Sequence, residues 1–293
     1  MSIIKLEIKK SGQSLEECQK AEQKECLKCP NLRGGRKMLL ENKTVLIMGI
    51  RNKWSIAWGA ARSAADNGAK VLFTFMGEEN REKIEELISE IPGAKAYECD
   101  ASSDDSIKEC FEKIKAENGN LDGILHSIAH ANTEDLRNDF ITTSREGFSH
   151  ANDVSAYSFV AIARIADELD MLNDGASLVS LTYYGSTKVL PGYNVMGVAK
   201  AALETSVRYM AYNLGKKNIR VNAVSAGPIK TLSAKGIKDF GSILDVVEEK
   251  APMRRNVTTT EVGDVVSFLF SKMSSAITGQ VIYADNGYNI MGI

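Results

Sequence analysis

The 293-residue chain is predicted to fold as an α/β protein built on a doubly wound parallel sheet of about seven strands, flanked by helices on both faces in a single domain. Three observations lead there. From Lys43 onward, short apolar runs alternate with longer amphipathic stretches; a glycine closes the first run and a serine opens the stretch after it; and Tyr193 and Lys200 stand seven residues apart at the head of a helical pattern. Alternation at this rhythm calls for parallel strands joined by right-handed helical crossovers.

Taken in order, the apolar runs are residues 45–48, 71–75, 123–128, 177–181, 219–225 and 280–284, with a weaker one at 95–98. Runs that are apolar without alternation read as strands buried on both faces. Between them, residues 56–67, 80–90, 106–118, 145–172, 193–214 and 260–272 have helical spacing and helix-compatible ends. The folded domain is therefore expected to run from Met38 to Ile293. Residues 1–37 fall outside this rhythm and carry nine Lys or Arg against five Glu. They read as a polar extension, partly helical, disordered or not native, since Met38 is itself a sensible start.

Composition narrows the function classes. A hydrophobic content of 44% supports a full core, and 36 basic against 38 acidic residues give a net charge of −2, with no field that selects nucleic acid. No run approaches the ~20 apolar residues of a membrane span, and the amino terminus lacks a secretory apolar segment, so a cytoplasmic protein without membrane insertion is expected. Five scattered cysteines imply reduced thiols rather than a disulfide framework. Cys26 and Cys29 have the spacing of half a zinc knuckle, but no neighbouring His or Cys completes it, and no metal is expected.

The segment Gly49-Ile50-Arg51-Asn52-Lys53-Trp54-Ser55-Ile56-Ala57-Trp58-Gly59 follows the first strand. Gly49 permits a tight turn, Ser55 is placed to cap a helix, and the amides of its first turn attract a pyrophosphate. It is not a G-x-G-x-x-G, and a plain strand-helix connection reads equally well. Trp54 and Trp58 are read as packing residues. At the end of the second strand stands Phe75-Met76-Gly77-Glu78-Glu79, and the first basic residue is Arg81. A 2'-phosphate needs a cation there and two carboxylates repel it, which selects NADH over NADPH. Asp100, after the third strand, is placed either to accept from an adenine amino group or to cap a helix.

Seven residues along a helix leave Tyr193 and Lys200 within ~20° of each other on one face, about 10 Å apart along the axis. A phenol there can donate to an oxygen that gains charge. The ammonium can hold a cofactor sugar and lower the phenol's pKa. An interface ring and a solvated lysine are the bland alternative.

These blocks, with His126-Ser127-Ile128-Ala129, Asp135-Leu136, Thr143-Ser144-Arg145-Glu146-Gly147-Phe148, Tyr193 to Gly197 with Lys200, and Arg220-Val221-Asn222-Ala223 through Leu232, give the chain a family likeness. From about Met38 to its end it resembles the NADH-dependent enoyl-acyl carrier protein reductases of bacterial type II fatty acid synthesis, a branch of the short-chain dehydrogenase/reductase superfamily with a Rossmann-type fold. By that resemblance Gly49, Ser55, Ile56, Asp100, Ala101 and Ile128 look like dinucleotide contacts, and Met76 meets the adenosine ribose. Lys200 holds the nicotinamide ribose. Ile229, Lys230, Thr231, Leu232 and Ser233 contact nicotinamide and pyrophosphate and begin a substrate-binding flap near 229–250. Ala131 matches a substrate contact. Tyr193 is the hydrogen-bond donor to the thioester carbonyl, and Tyr183 is the second active-site tyrosine. Arg51 and His130 stand where the family more often has alanine and phenylalanine, and Tyr184 replaces a usual leucine.

The resemblance implies hydride transfer from NADH to the β-carbon of a trans-2-enoyl thioester, with charge gathering on the thioester oxygen. It also implies an acyl carrier protein-linked substrate and a homotetramer. Lys230, Lys235, Lys238, Arg254 and Arg255 form either a basic patch for that acidic carrier or scattered solvated charge. Two rivals remain. An ordinary carbonyl reductase would use Tyr184-Gly-Ser-Thr-Lys188, but Gly185 and Pro191 disfavour a helix there, and Met171 stands about where its serine belongs. A nucleotide sensor would keep the fold without turnover.

Overall fold

A computed structural model describes residues 38–231 and 240–292. Seven parallel strands form one sheet in the order β3-β2-β1-β4-β5-β6-β7. They are β1 (Thr44–Met48), β2 (Lys70–Phe75), β3 (Lys95–Glu98), β4 (Leu121–His126), β5 (Leu172–Thr182), β6 (Arg220–Ala226) and β7 (Val281–Ala284). The order reverses between β1 and β4, which opens a crevice at the carboxyl ends of those two strands.

Both faces of the sheet are buried, and successive residues divide between them. Leu46, Met48, Leu72, Ile124, Leu178 and Val221 belong to one core, together with helices α3 (Asp104–Asn118), α6 (Ser158–Glu168) and α7 (Asn194–Leu214). Val45, Ile47, Val71, Phe73, Leu125, Val179 and Val224 belong to the other, with α1 (Ile56–Asp66), α2 (Arg81–Ile88) and α9 (Thr259–Phe270). This two-sided burial is why the strands read as continuous apolar runs. Trp58 stacks on Phe73 in the second core at 6.4 Å between centroids, whereas Trp54 is 63% exposed, with the Lys53 ammonium 5.0 Å from its ring, and does not serve as the core packing residue expected of it.

The expected helix over 145–172 divides. α5 (Arg145–Asn152) passes through a π-helical turn (Asp153–Tyr157) into α6, which ends at Glu168. Asp170 then takes a left-handed φ of 47°, and β5 begins at Leu172. Periodicity could not find this end, because Met171-Leu172 continue an apolar pattern while Asn173-Asp174-Gly175 disguise the start of the strand. Two helices were not expected, the short α4 (Thr133–Arg137) and α8 (Phe240–Lys250). Among the described residues no helix is long and apolar enough to cross a membrane, and Cys99 and Cys110 are buried free thiols.

Candidate active site

Every described residue of the predicted site lies at the carboxyl edge of the sheet, because each follows the end of a strand. Gly49 follows β1, Met76 β2, Asp100 and Ala101 β3, Ile128 and Ala131 β4, Tyr183 β5, and Ile229 and Lys230 β6. Leu232 and Ser233 lie outside the described residues, as do Lys235, Lys238 and the middle of the expected flap.

The turn after β1 has to be glycine. Gly49 adopts φ 82°, its amide donates to the Thr74 carbonyl, and a β-carbon there would stand 2.7 Å from the Ser127 carbonyl oxygen and 2.8 Å from Ile128 Cγ1. That close approach joins the predicted nucleotide residues Gly49 and Ile128 across the switch point. Ser55 caps α1 as expected: its hydroxyl accepts from the Trp58 amide at 3.2 Å and donates to the Asn52 carbonyl at 2.7 Å. No acidic residue stands in the first turn of α1, so its positive end is left for an anion, whereas α3 carries Asp104 and Asp105 there. The cradle therefore fits a dinucleotide pyrophosphate.

At the rim, Met76 is 68% exposed and open to a ligand, while Ala101 is buried. Asp100 does not cap α3. That role belongs to Ser103, whose hydroxyl accepts from the Ser106 amide, and Asp100 Oδ1 instead accepts from the amide and hydroxyl of Ser102 at 2.9 and 2.7 Å. The Arg81 guanidinium closes back on Glu78 with two hydrogen bonds of 2.5 and 2.6 Å and lies 5.1 Å over the Phe75 ring. That contact holds the exposed Glu78 carboxyl below the usual carboxylate range. The nearest cation after β2 is thus already engaged.

The catalytic candidates converge at the end of β5. Tyr193 sits at the amino-terminal cap of α7, buried, with its ring edge-on to Tyr183 at 5.0 Å. Asn194, at φ 41°, fixes that helix start by donating to the Leu136 and Asn138 carbonyls. Gly185 leaves room for the ring, since a β-carbon there would come within 2.9 Å of Tyr193 Cε1. Both tyrosines and Ala131 share one apolar cluster with Leu136, Val195 and Met196, as a surface for an acyl chain requires. The Tyr183 hydroxyl is buried without a hydrogen-bond partner among the described residues, an orphan donor that a substrate oxygen would satisfy.

Lys200 is buried, and its ammonium donates to the Leu181 carbonyl at 2.8 Å. Burial pushes its pKa down to about 8, against an upward pull from Glu204. The phenols depart from expectation. Burial first, then Tyr183 and Glu204, push the Tyr193 hydroxyl up from its ordinary value, so the lysine does not acidify it. Tyr183 is pushed up in the same way. Both are neutral donors.

Three further residues belong to the site. His126, fully buried between Ser180 Oγ (2.9 Å) and Ser158 Oγ (2.8 Å), is held neutral because burial and the Lys200 charge push it down to about 3. Ser155 in the π-turn pins the backbone of His130 by accepting from its amide and donating to its carbonyl. Glu204 accepts from the Thr182 hydroxyl at 2.6 Å. His126 stands in one of the blocks that carry the family likeness, but the roles of all three are hidden in the sequence, because their partners are 22 to 54 positions away. Tyr184 and Lys188 do not share an α-helix, since residues Tyr184–Ser186 form a single 3-10 turn, which removes the geometry of the carbonyl reductase rival. Arg255 is paired with Glu261 through contacts of 2.6 and 2.9 Å, so it adds little to a basic patch.

The chain is similar to known proteins over most of its length. The family described as enoyl-(acyl carrier protein) reductase matches residues 49–289. The enoyl-acyl-carrier-protein reductase (NADH) FabI of Bacillus cereus is 48% identical over 256 residues, 87% of this chain and 99% of that one. The corresponding reductase (NADPH) of Staphylococcus aureus is 49% identical over 252 residues, 85% of this chain and 98% of its own. Among solved structures, the Bacillus cereus enoyl-acyl carrier protein reductase with NADP+ and indole naphthyridinone aligns with TM-score 0.85 at 48% identity, covering 87% of this chain and all of that one. The enoyl-acyl-carrier-protein reductase (NADH) of Aquifex aeolicus aligns with TM-score 0.83 at 42% identity over 87% and 99% of the two chains. By the family match over residues 49–289, the sequence identity and the overall fold, this chain belongs to the enoyl-acyl carrier protein reductase family.

Proposed function

We propose that the protein reduces the carbon-carbon double bond of a trans-2-enoyl thioester carried on acyl carrier protein, using NADH, in the last reductive step of fatty acid elongation. The observation that carries this reading is the pairing of two neutral, buried tyrosines over an apolar surface at the switch-point edge, one with an unsatisfied hydroxyl.

A bound NADH supplies the hydride for the substrate β-carbon. The chain's residues do the rest. Gly49 lets the backbone close on the pyrophosphate, the head of α1 with Ser55 and Ile56 offers amides to it, and Asp100, Ala101 and Met76 flank the adenosine. By the family likeness, Ile229, Lys230, Thr231, Leu232 and Ser233 are assigned to the nicotinamide and pyrophosphate, Ile128 to the dinucleotide, and Lys200 to the nicotinamide ribose. Tyr193 donates to the thioester oxygen as it gains charge, with Tyr183 beside it. A donor in a dry site is worth far more than one in water. Glu78 and Glu79 favour NADH over NADPH, since the nearby Arg81 is occupied by Glu78. Relatives named for NADH and for NADPH both lie near this chain, so the choice rests on these side chains.

Residues 229–250 act as the substrate flap, and residues 38–293 as the catalytic domain, with 1–37 outside it. The exposed tyrosines Tyr209 and Tyr212 of α7, 71% and 72% accessible, support burial against further copies in a homotetramer. The cytoplasm is the proposed location.

Loss of NADH absorbance with a crotonyl thioester tests the assignment. NADH should be consumed with kcat/KM at least tenfold above NADPH, and a β-ketoacyl thioester should give no turnover. Turnover of the ketoacyl thioester alone would move the protein to the carbonyl reductases, and NADH binding without turnover would make it a sensor.

A further inference from the structure

Two side chains of α7, one turn apart, hook consecutive residues at the end of β5. Lys200 donates to the Leu181 carbonyl at 2.8 Å, and Glu204 accepts from the Thr182 hydroxyl at 2.6 Å. Thr182, Lys200 and Glu204 are 4%, 6% and 7% exposed. The next residue of the chain is Tyr183, whose ring lies against Tyr193. We propose that Glu204 is a positioning residue of the active site: its carboxylate fixes Thr182, and through it the departure of Tyr183 from β5, and its buried negative charge keeps Lys200 in the ammonium form.

The surroundings of Lys200 show why a charge is needed there. Burial disfavours the ammonium, and Glu204 opposes that effect. His126 on β4, which the Lys200 charge reaches, stays neutral and offers no compensating charge. Tyr193, on the same helix face, and Tyr183 against it are neutral phenols. Lys200 stands near pH 8 in the presence of Glu204, and loss of the carboxylate would move it lower still, toward the neutral range. A buried carboxylate is costly to keep, and this one lies where its charge and its hydrogen bond both bear on the site.

The inference rests on the reading of Lys200 as the ribose-holding group, and four variants of the full chain separate the two. NADH affinity is measured by its fluorescence between pH 6 and 9.5, and kcat and KM with a crotonyl thioester, after near-ultraviolet circular dichroism has shown each variant folded. Glu204→Gln keeps an acceptor for Thr182 and removes the charge. Its affinity should fall off at least one pH unit earlier than the parent's, with binding at pH 7.5 at least about threefold weaker and binding at pH 6 within twofold. Glu204→Asp retains the charge and should restore the parent's alkaline limb, which also covers failure of the amide variant to fold. Thr182→Val removes the hook and keeps the charge, so kcat should drop at least tenfold while the pH dependence of NADH binding stays put. A Glu204→Gln limb superimposed on the parent's would overturn the role given to Glu204. Lys200→Met that binds NADH as the parent does would instead overturn the ribose role of Lys200 itself.

Discussion

In the proposed role, Tyr193 acts as a neutral phenol in a dry setting. Burial raises the cost of ionising it, so its proton is retained for a hydrogen bond to an oxygen that gains charge. Its placement depends on small neighbours, because Gly185 makes room for the ring and Asn194 ties the helix start to Leu136 and Asn138. Tyr193→Phe keeps the ring and removes the donor. Turnover with a crotonyl thioester is expected to fall by about 10²–10³, as for other oxyanion donors, while NADH affinity stays within about twofold. Parallel loss of both in stopped-flow binding and steady-state assays would assign the residue a packing role. The Tyr-to-Lys spacing that placed both on one helix face was readable from sequence. Their pKa values were not, since these follow from burial and from Glu204, which only the fold brings into play.

Elements position the site through close backbone contacts. α1, whose head is the proposed pyrophosphate cradle, is held by α9 through a crossing at two glycines. A β-carbon on Gly263 would lie 2.5 Å from the Gly59 carbonyl oxygen and 2.9 Å from Ala60 Cα. Gly263→Ala is therefore expected to destabilise the protein by about 1–3 kcal/mol through overpacking, read as a lower urea midpoint. Gly241→Ala on α8, where nothing lies within 4 Å of the new methyl, should be neutral or stabilising by up to ~1 kcal/mol. Equal midpoints for the two variants would show that the α1–α9 contact is not tight. The strand runs and most helices were legible because both faces of the sheet are covered and each helix shows one apolar face. The end of α6 and the π-turn before it were not, since a left-handed Asp170 and a widened turn leave no mark on hydrophobic period.

Over the whole molecule, His126 links the core to pH. It is neutral inside the sheet, with a folded value of about 3 against 6.5 for the free side chain. The unfolded chain takes up a proton below pH 6.5 that the folded chain refuses, so the group's contribution is complete above that pH. It is lost progressively as pH falls toward 3. The full range amounts to on the order of 5 kcal/mol. Urea unfolding at pH 7, 6, 5 and 4 should show stability declining below 6.5, and His126→Asn should be less stable at pH 7 yet show a shallower decline. A variant with the parent's slope would place the acid sensitivity elsewhere.

Read from the chain alone, the doubly wound sheet, the tight turn at Gly49, the cap at Ser55 and the placing of Tyr193 and Lys200 on one helix were legible. Each of these is encoded in short-range order, as apolar runs, a turn residue, a cap, or spacing along one helix. Only the tertiary structure decided that Ser103 rather than Asp100 caps α3, that Arg81 is spent on Glu78, that both phenols are neutral, and that Thr182 and Glu204 lock β5 to α7. Hydrogen-bond competition, burial and charge pairing act across distances in space that sequence order does not carry, and they set the protonation states on which the chemistry depends.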